Sequence, residues 1–208
     1  MHGLLDERLA VVTGGGSGIG RAISLGYAKE GARVIVLDAN EETAAQTEKS
    51  INGTGGKAWS FKLDVSDHAA CRGVAARIAE TIGQASILVN NAGINRRNAF
   101  TGDPDAVVRD WQDIMAINLD GIFNVTHAFL RQLTATKGRI VNIGSIQSFM
   151  HVRTPNSPAY TTSKHGVLGF TRALAAELGR DAAQCASAGQ PSRACESLRG
   201  PHAAWPPR

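Results

Sequence analysis

The chain has 208 residues, of which 43% are hydrophobic, and a formal net charge of +4. These values predict one globular domain, and the absence of a lysine-rich run or basic helix argues against a nucleic-acid-binding surface. No stretch has the length of a membrane span, residues 1–7 lack a signal-peptide pattern, and the three cysteines form no Cys-x-x-Cys pair. We therefore expect a cytoplasmic protein without a disulfide framework and without a metal site.

Patterns typical of strands and helices alternate along most of the chain. Short apolar runs predict buried strands at residues 9–12, 33–37, 58–63, 87–89 and 139–143. Helical patterns follow them at residues 21–30, 41–51, 67–82, 105–133 and 158–178, with Asp67 as a capping residue. This alternation predicts an α/β fold, a Rossmann-like doubly wound parallel sheet with strand order 3-2-1-4-5.

The composition changes towards the C-terminal end. No Val, Ile, Phe or Tyr follows Phe170, and four of the seven prolines lie after residue 181. We therefore expect the folded domain at residues 1–181 and a poorly ordered tail at residues 182–208. The sheet would then be C-terminally truncated, with the fifth strand as an exposed edge.

A glycine-rich turn follows the first strand and opens the first helix. It contains, in order, Thr13, Gly14, Ser17, Gly18, Ile19 and Gly20. Glycines at such a turn let the backbone approach a pyrophosphate, which binds at the helix N-terminus. The spacing differs from Gly-x-Gly-x-x-Gly, and the alternative interpretation is a flexible turn. The position between strand and helix favours a dinucleotide site.

Asp38 ends the second strand, about 20 residues after the glycines, where a carboxylate binds ribose hydroxyls. It would also repel a 2′-phosphate, and Ser17 rather than a basic residue occupies the turn. Both features favour NAD over NADP. The alternative interpretation of Asp38 is a turn carboxylate at the end of a strand.

Further motifs appear downstream in a fixed order: Asp64, Asn90-Asn91-Ala92-Gly93, Asn118, Ser145, and Tyr160 four residues before Lys164. Together with the glycine turn they resemble the short-chain dehydrogenase/reductase family, over residues 5–179. The resemblance implies that Asp64 and Val65 lie near the adenine. It also implies that Asn91, Ala92 and Gly93 line the cofactor, and that the protein is a homo-oligomer.

The resemblance also implies a catalytic group of four residues. Residues four apart share one face of a helix, so Lys164 would stabilise the phenolate of Tyr160. Tyr160 resembles the family's general acid/base, and Lys164 the residue that also holds the nicotinamide ribose. Ser145 resembles the hydroxyl that orients the substrate oxygen, and Asn118 the residue that anchors a water molecule joined to the lysine.

The segments after the fourth and fifth strands resemble gluconate and ketogluconate dehydrogenases of this family. Candidate substrate residues are Arg96, Arg97, Gln147 and Arg153, whose arginines could bind the carboxylate of a sugar acid. Solvated loop arginines are the alternative interpretation.

The sequence therefore predicts an oxidoreductase that transfers a hydride between NAD(H) and a small secondary alcohol or ketone. Two alternatives remain open. One is a 3-oxoacyl-type reductase that uses NADP(H), and the other is an inactive nucleotide-binding pseudoenzyme.

Overall fold

A computed structural model describes residues 3–96, 98–150, 158–179 and 184–188. Its strands are β1 (Leu9–Thr13), β2 (Arg33–Asp38), β3 (Lys57–Lys62), β4 (Ile87–Asn90), β5 (Arg139–Ile143) and β6 (Gln184–Ala188). Its α-helices are α1 (Gly18–Lys29), α2 (Glu41–Asn52), α3 (His68–Thr81), α4 (Pro104–Met115), α5 (Gly121–Ala135) and α6 (Pro158–Leu178).

The strands form one parallel sheet with the order β3-β2-β1-β4-β5-β6. The predicted order 3-2-1-4-5 is confirmed, with one strand added. β1 pairs with β2 on one side and with β4 on the other, so Val12 lies between Val36 and Val89. The strand order reverses between β1 and β4, which is where open α/β sheets bind their ligands.

Both faces of the sheet are covered, which explains why its central strands are apolar throughout. Alternate residues of β1 point to opposite faces. Leu9 and Val11 pack in the cluster that includes Ile78 of α3 and Phe129 of α5. Residues on the opposite face of the sheet, such as Val12, share a cluster with Ala44 and Ile51 of α2. The doubly wound arrangement follows from this division.

The predicted helix at 105–133 is interrupted. A π-helical turn at Ala116–Asp120 separates α4 from α5. Such a turn contains hydrogen bonds from residue i to i+5 and is frequent at functional sites. The predicted cap of α3 is confirmed, because Asp67 accepts a hydrogen bond of 2.9 Å from the amide of Ala70.

The expectation that the sheet ends at an exposed β5 was wrong. β6 pairs with β5 in parallel, with Arg139 opposite Gln184 and Ile143 opposite Ala188. The segment 184–188 contains no β-branched or aromatic residue, so its composition predicted no strand. Main-chain pairing with β5 forms it instead. The rest of the predicted tail, residues 182–183 and 189–208, lies outside the described residues.

Among the described helices, none combines the length and the apolar character that crossing a bilayer requires.

Candidate active site

The turn between β1 and α1 brings its backbone against the segment that follows β4. Gly14 and Gly18 have positive φ angles of 61° and 50°, a conformation that favours glycine. A Cβ atom on Gly20 would overlap the carbonyl group of Gly14, and one on Gly14 would lie 3.0 Å from the Cα of Ala92. Larger residues at positions 14 and 20 would therefore push the turn away from β4.

Thr13 and Asn91 join the ends of β1 and β4. The Thr13 hydroxyl accepts hydrogen bonds of 3.0 Å from the amides of Asn91 and Ala92. The Asn91 side chain in turn donates to the carbonyls of Thr13 and Gly14, at 3.0 and 3.2 Å. These bonds fix the floor of the crevice at the point where the strand order reverses.

Asp38 and Asp64 lie at the carboxyl ends of β2 and β3. Asp38 accepts a 2.9 Å hydrogen bond from the amide of Gly16 through Oδ2 and a 3.0 Å bond from Asn40 through Oδ1. Asp64 accepts from the amide and hydroxyl of Ser66, at 2.9 and 2.7 Å. Both carboxylates are thus held in fixed orientations at the edge of the sheet.

A cavity of about 520 Å³ runs along this edge. It includes twelve of the predicted site residues: Gly14, Ser17, Gly18, Ile19, Asp38, Asp64, Val65, Asn91, Ala92, Gly93, Tyr160 and Lys164. Thr13, Gly20, Asn118 and Ser145 do not line it. Of these four, Thr13 and Gly20 pack against the turn and the segment after β4, through the contacts described above.

Tyr160 and Lys164 lie one turn apart on α6 and both face the cavity. The Lys164 side chain is buried, and its Nζ donates a 2.8 Å hydrogen bond to the carbonyl of Ile143. The same Nζ lies 5.7 Å from the centroid of the Tyr160 ring, within the range of a cation–π contact. Burial lowers the pKa of Lys164 from 10.5 to about 8.

Asn118 lies within the π-helical turn and is fully buried. Its Oδ1 accepts from the amide of Ile94 at 2.8 Å, and its Nδ2 donates to the carbonyl of Ile94 at 2.9 Å. The Nδ2 atom also lies 3.3 Å from the hydroxyl of Ser163, which donates to the carbonyl of Tyr160 at 2.8 Å. Asn118 thereby connects the loop after β4 with the helix that carries Tyr160.

Ser145 begins the 3-10 turn Ile146–Ser148, directly after β5 and Gly144. Its hydroxyl oxygen accepts a 3.2 Å hydrogen bond from the amide of Gln147. The Gln147 side chain is buried and its Oε1 accepts from the hydroxyl of Thr161 at 2.8 Å. Gln147 thus contacts the start of α6 and does not line the cavity.

The arginines proposed for the substrate are only partly described. Arg97 and Arg153 lie outside the described residues. Arg96 forms ion pairs with Asp113 at 2.9 Å and with Asp110 at 3.6 Å, and it does not line the cavity.

Seven residues that line the cavity were not predicted: Ala39, Leu63, Ile94, Asn95, Ile117, Ile143 and Gly144. Most of them follow the end of a strand or lie beside a predicted residue. The rule that strand ends deliver residues to the crevice could have identified them, although Asn95 is the only one of the seven with a polar side chain.

These features fit a dinucleotide. The turn has glycines at the positions of close approach, and the N-terminus of α1 opens into the cavity through Ser17 and Gly18. Asp38 stands where ribose hydroxyls would bind, and the volume lies within the range of about 300–1,000 Å³ that is usual for such sites.

Comparison with known proteins agrees with this geometry. The family model for short chain dehydrogenases matches residues 8–189. D-threitol dehydrogenase of Mycolicibacterium smegmatis is 39% identical over 176 residues, which make up 84% of this chain and 66% of that protein. The chain spans between 29% and 69% of the length of curated relatives that it matches.

Many solved structures are similar to this chain, and each of the two described next covers 88% of it. A gluconate 5-dehydrogenase from Burkholderia cenocepacia, in complex with NADP and tartrate, has a TM-score of 0.80 and 37% identity, with 70% of its chain covered. A short chain dehydrogenase/reductase from Burkholderia phymatum, in complex with NAD, has a TM-score of 0.80 and 26% identity, with 65% covered. The fold of this chain is thus found with either dinucleotide.

The buried charge of Lys164 predicts a pH dependence of stability. Below about pH 8 the lysine is protonated in both folded and unfolded chains, and burial of the charge destabilises the fold. Between pH 8 and 10.5 the unfolded chain binds the proton more strongly, so the unfolding free energy rises with pH. The unfolding free energy of the unmodified chain, relative to that of Lys164→Met, should rise by about 2 kcal/mol between about pH 7.5 and pH 10.

Urea denaturation of both proteins across this pH range measures the difference. Subtraction removes the contributions of Tyr27 and Cys71, whose pKa values are raised by burial. A difference that stays constant with pH would show that Lys164 does not titrate in this range.

Proposed function

The chain belongs to the short-chain dehydrogenase family, and from this premise we propose that it transfers a hydride between NAD(H) and a secondary alcohol or ketone. The observation that supports this best is that one cavity along the sheet edge brings the relevant groups together. Tyr160 and Lys164 line it together with the glycine turn and Asp38. A proton-transferring group and a dinucleotide cradle would thus act on one bound substrate.

When bound, the nicotinamide supplies or accepts the hydride. Tyr160 supplies the matching proton: its phenol oxygen gives a proton to the carbonyl oxygen during reduction and takes it from the hydroxyl during oxidation. Ser145 does not line the cavity itself but directly follows Gly144, which does. Its hydroxyl oxygen accepts a hydrogen bond from the amide of Gln147, and its role as proton donor to the substrate oxygen rests on the family resemblance. Proton and hydride together account for the two electrons and two hydrogens exchanged.

Lys164 acts on this proton transfer through its charge. Its Nζ is oriented by the carbonyl of Ile143 and held near the Tyr160 ring. A cation in a buried position stabilises a developing phenolate more strongly than one in water, because the surrounding dielectric is lower. Asn118 supports the arrangement through Ser163, which contacts the backbone of Tyr160.

Asp38 supports NAD as the cofactor. Each of its oxygens accepts one backbone amide and can still accept a ribose hydroxyl. A 2′-phosphate at this position would bring two anions together, and the neighbouring Ala39 and Asn40 carry no positive charge. An NADP-dependent 3-oxoacyl-type reductase is the alternative. The NADP complex of the gluconate 5-dehydrogenase supports the use of NADP but not that substrate class.

The substrate we propose is a small alcohol or ketone. Similarity to a gluconate 5-dehydrogenase supports a sugar acid, whereas the ion pairs of Arg96 weaken its assignment as the carboxylate-binding residue. A homo-oligomeric state stays a prediction from the resemblance, and a cytoplasmic location stays a prediction from the composition and the cysteines. The pseudoenzyme alternative predicts dinucleotide binding without turnover.

Replacing Tyr160 by phenylalanine tests the proposed reaction. The substitution keeps the ring and removes the transferable proton, so turnover should fall about 10²- to 10⁴-fold while dinucleotide binding is largely preserved. Tyr27→Phe is the matched control, because Tyr27 is the other tyrosine of the chain and lies in α1. Near-normal rates with Tyr160→Phe would contradict the assignment of the acid/base.

Replacing Asp38 by alanine tests the cofactor preference. The unmodified chain should bind NAD(H) more tightly than NADP(H). Asp38→Ala should reduce the ratio of the two affinities by about tenfold, because one charged hydrogen-bonding partner is lost. Fluorescence titration with both cofactors measures it, with the exposed Glu41→Ala as a control for general charge. Equal affinities in the unmodified chain would favour the NADP-dependent alternative.

A substrate panel tests the sugar-acid proposal. Gluconate should be oxidised with a kcat/KM about 10- to 100-fold above that of sorbitol, because a bidentate charged contact contributes about 1.5–3 kcal/mol. Equal values for acidic and neutral polyols would exclude a carboxylate-binding site.

A further inference from the structure

The loop after β4 is attached to the long interrupted helix at two separate points. The first is Asn118, whose side chain bonds both the amide and the carbonyl of Ile94. The second lies two turns earlier, where Arg96 and Asn98 reach the side chain of Asp110. Ile94, at the first point, and Asn95, between the two points, line the cavity.

Asp110 is the centre of the second attachment. Its residue is 7% exposed, and its Oδ2 accepts a 2.9 Å hydrogen bond from the Asn98 side chain. Its Oδ1 lies 3.6 Å from Nε of Arg96. A buried carboxylate that loses its partners is strongly destabilised, so Asp110 favours loop conformations in which Arg96 and Asn98 stay in place.

Arg96 is held from two sides. Its Nη2 lies 2.9 Å from Asp113, and the side chains of Arg96 and Asp113 are about half exposed. Exposed ion pairs of this kind contribute little to stability. The contact of Arg96 with the buried Asp110 is less screened by solvent and salt. Arg96 therefore fastens the loop to α4, and its charge is already matched by carboxylates on that helix.

We propose that Asp110 is a positioning residue for the proposed hydride transfer: through Asn98 and Arg96 it holds Ile94 and Asn95 as a wall of the active-site cavity. The inference rests on the proposed function for its effect on turnover, but the attachment itself can be measured without turnover. The β4 loop lies between the ends of β1 and β5, and thus between the glycine turn and the segment that carries Ser145.

This location predicts which step is affected. Asp38 and Asp64 hold the other end of the cavity and are independent of Asp110. Release of the loop should therefore lower kcat, because small displacements of groups around the reacting atoms cost up to about 100-fold in rate. Dinucleotide affinity should change little.

The experiment compares D110N with D113N. D110N removes the buried charge, whereas D113N removes the exposed partner of the same arginine and is the matched control. We expect D110N to lower kcat about tenfold with a dinucleotide Kd within about threefold of the unmodified value. D113N should leave both near the unmodified values.

A reciprocal exchange separates positioning from general destabilisation. The double variant N98D/D110N restores one carboxylate and one amide in contact with each other, and it should recover most of the lost kcat. If D110N does not fold, N98A removes the hydrogen bond that Asp110 accepts from the loop and should also lower kcat.

Hydrogen exchange of the Ile94 amide gives a measurement that needs no activity. This amide donates to Asn118, and D110N should speed its exchange about tenfold while D113N leaves it unchanged. If the unmodified protein shows no turnover, the proposed function fails and the attachment is judged on this exchange alone. The inference is overturned if D110N and D113N are indistinguishable, or if N98D/D110N recovers neither kcat nor slow exchange.

Discussion

The parallel pairing of β1 with β4 is the constraint on which the site depends. The chain leaves β1 towards the face covered by α1 and α2, and leaves β4 towards the face covered by α3 and α5. Because the two connections diverge, a crevice opens above the paired strand ends. The Thr13 hydroxyl closes its floor by accepting both amides that follow β4. The glycine turn approaches Ala92 closely because Gly14 has no Cβ atom, and the Thr13 bonds hold the two segments together.

Lys164 shows how chemistry and stability oppose each other in this crevice. The ammonium group has three donors, and the carbonyl of Ile143 accepts one of them. Burial therefore disfavours its charged form, which lowers its pKa. A neutral side chain of similar length would remove the cost of burying a charge but could not stabilise a phenolate at Tyr160. A site that keeps a destabilising buried charge beside a phenol is typical of catalytic rather than structural design.

Much of the fold and of the lining of the candidate site could be predicted, because those signals are local. Apolar runs such as Val34–Leu37 in β2 are buried on both faces, and the cap at Asp67 depends on a residue three positions away. Three features depend on distant parts of the chain and were missed. The strand β6 forms by main-chain pairing with β5, in spite of its small residues. The π-helical turn has no sequence signal. Arg96 pairs with carboxylates that lie more than ten residues away in the chain. Lining residues such as Leu63 and Ile117 were missed because an apolar side chain looks the same in a core and in a cavity wall.

The π-helical turn explains how one helix can hold the β4 loop at two points. Asp110 and Asn118 are eight residues apart, and a regular α-helix advances about 100° per residue, which would separate them by about 80° around the axis. A π-helical turn contains more residues per turn, so each residue advances by a smaller angle. The turn at Ala116–Asp120 therefore rotates Asn118 back towards the side of Asp110. Both side chains then contact the same short loop, Asn118 at Ile94 and Asp110 at Asn98. The turn thus brings the two side chains closer to one face of the helix.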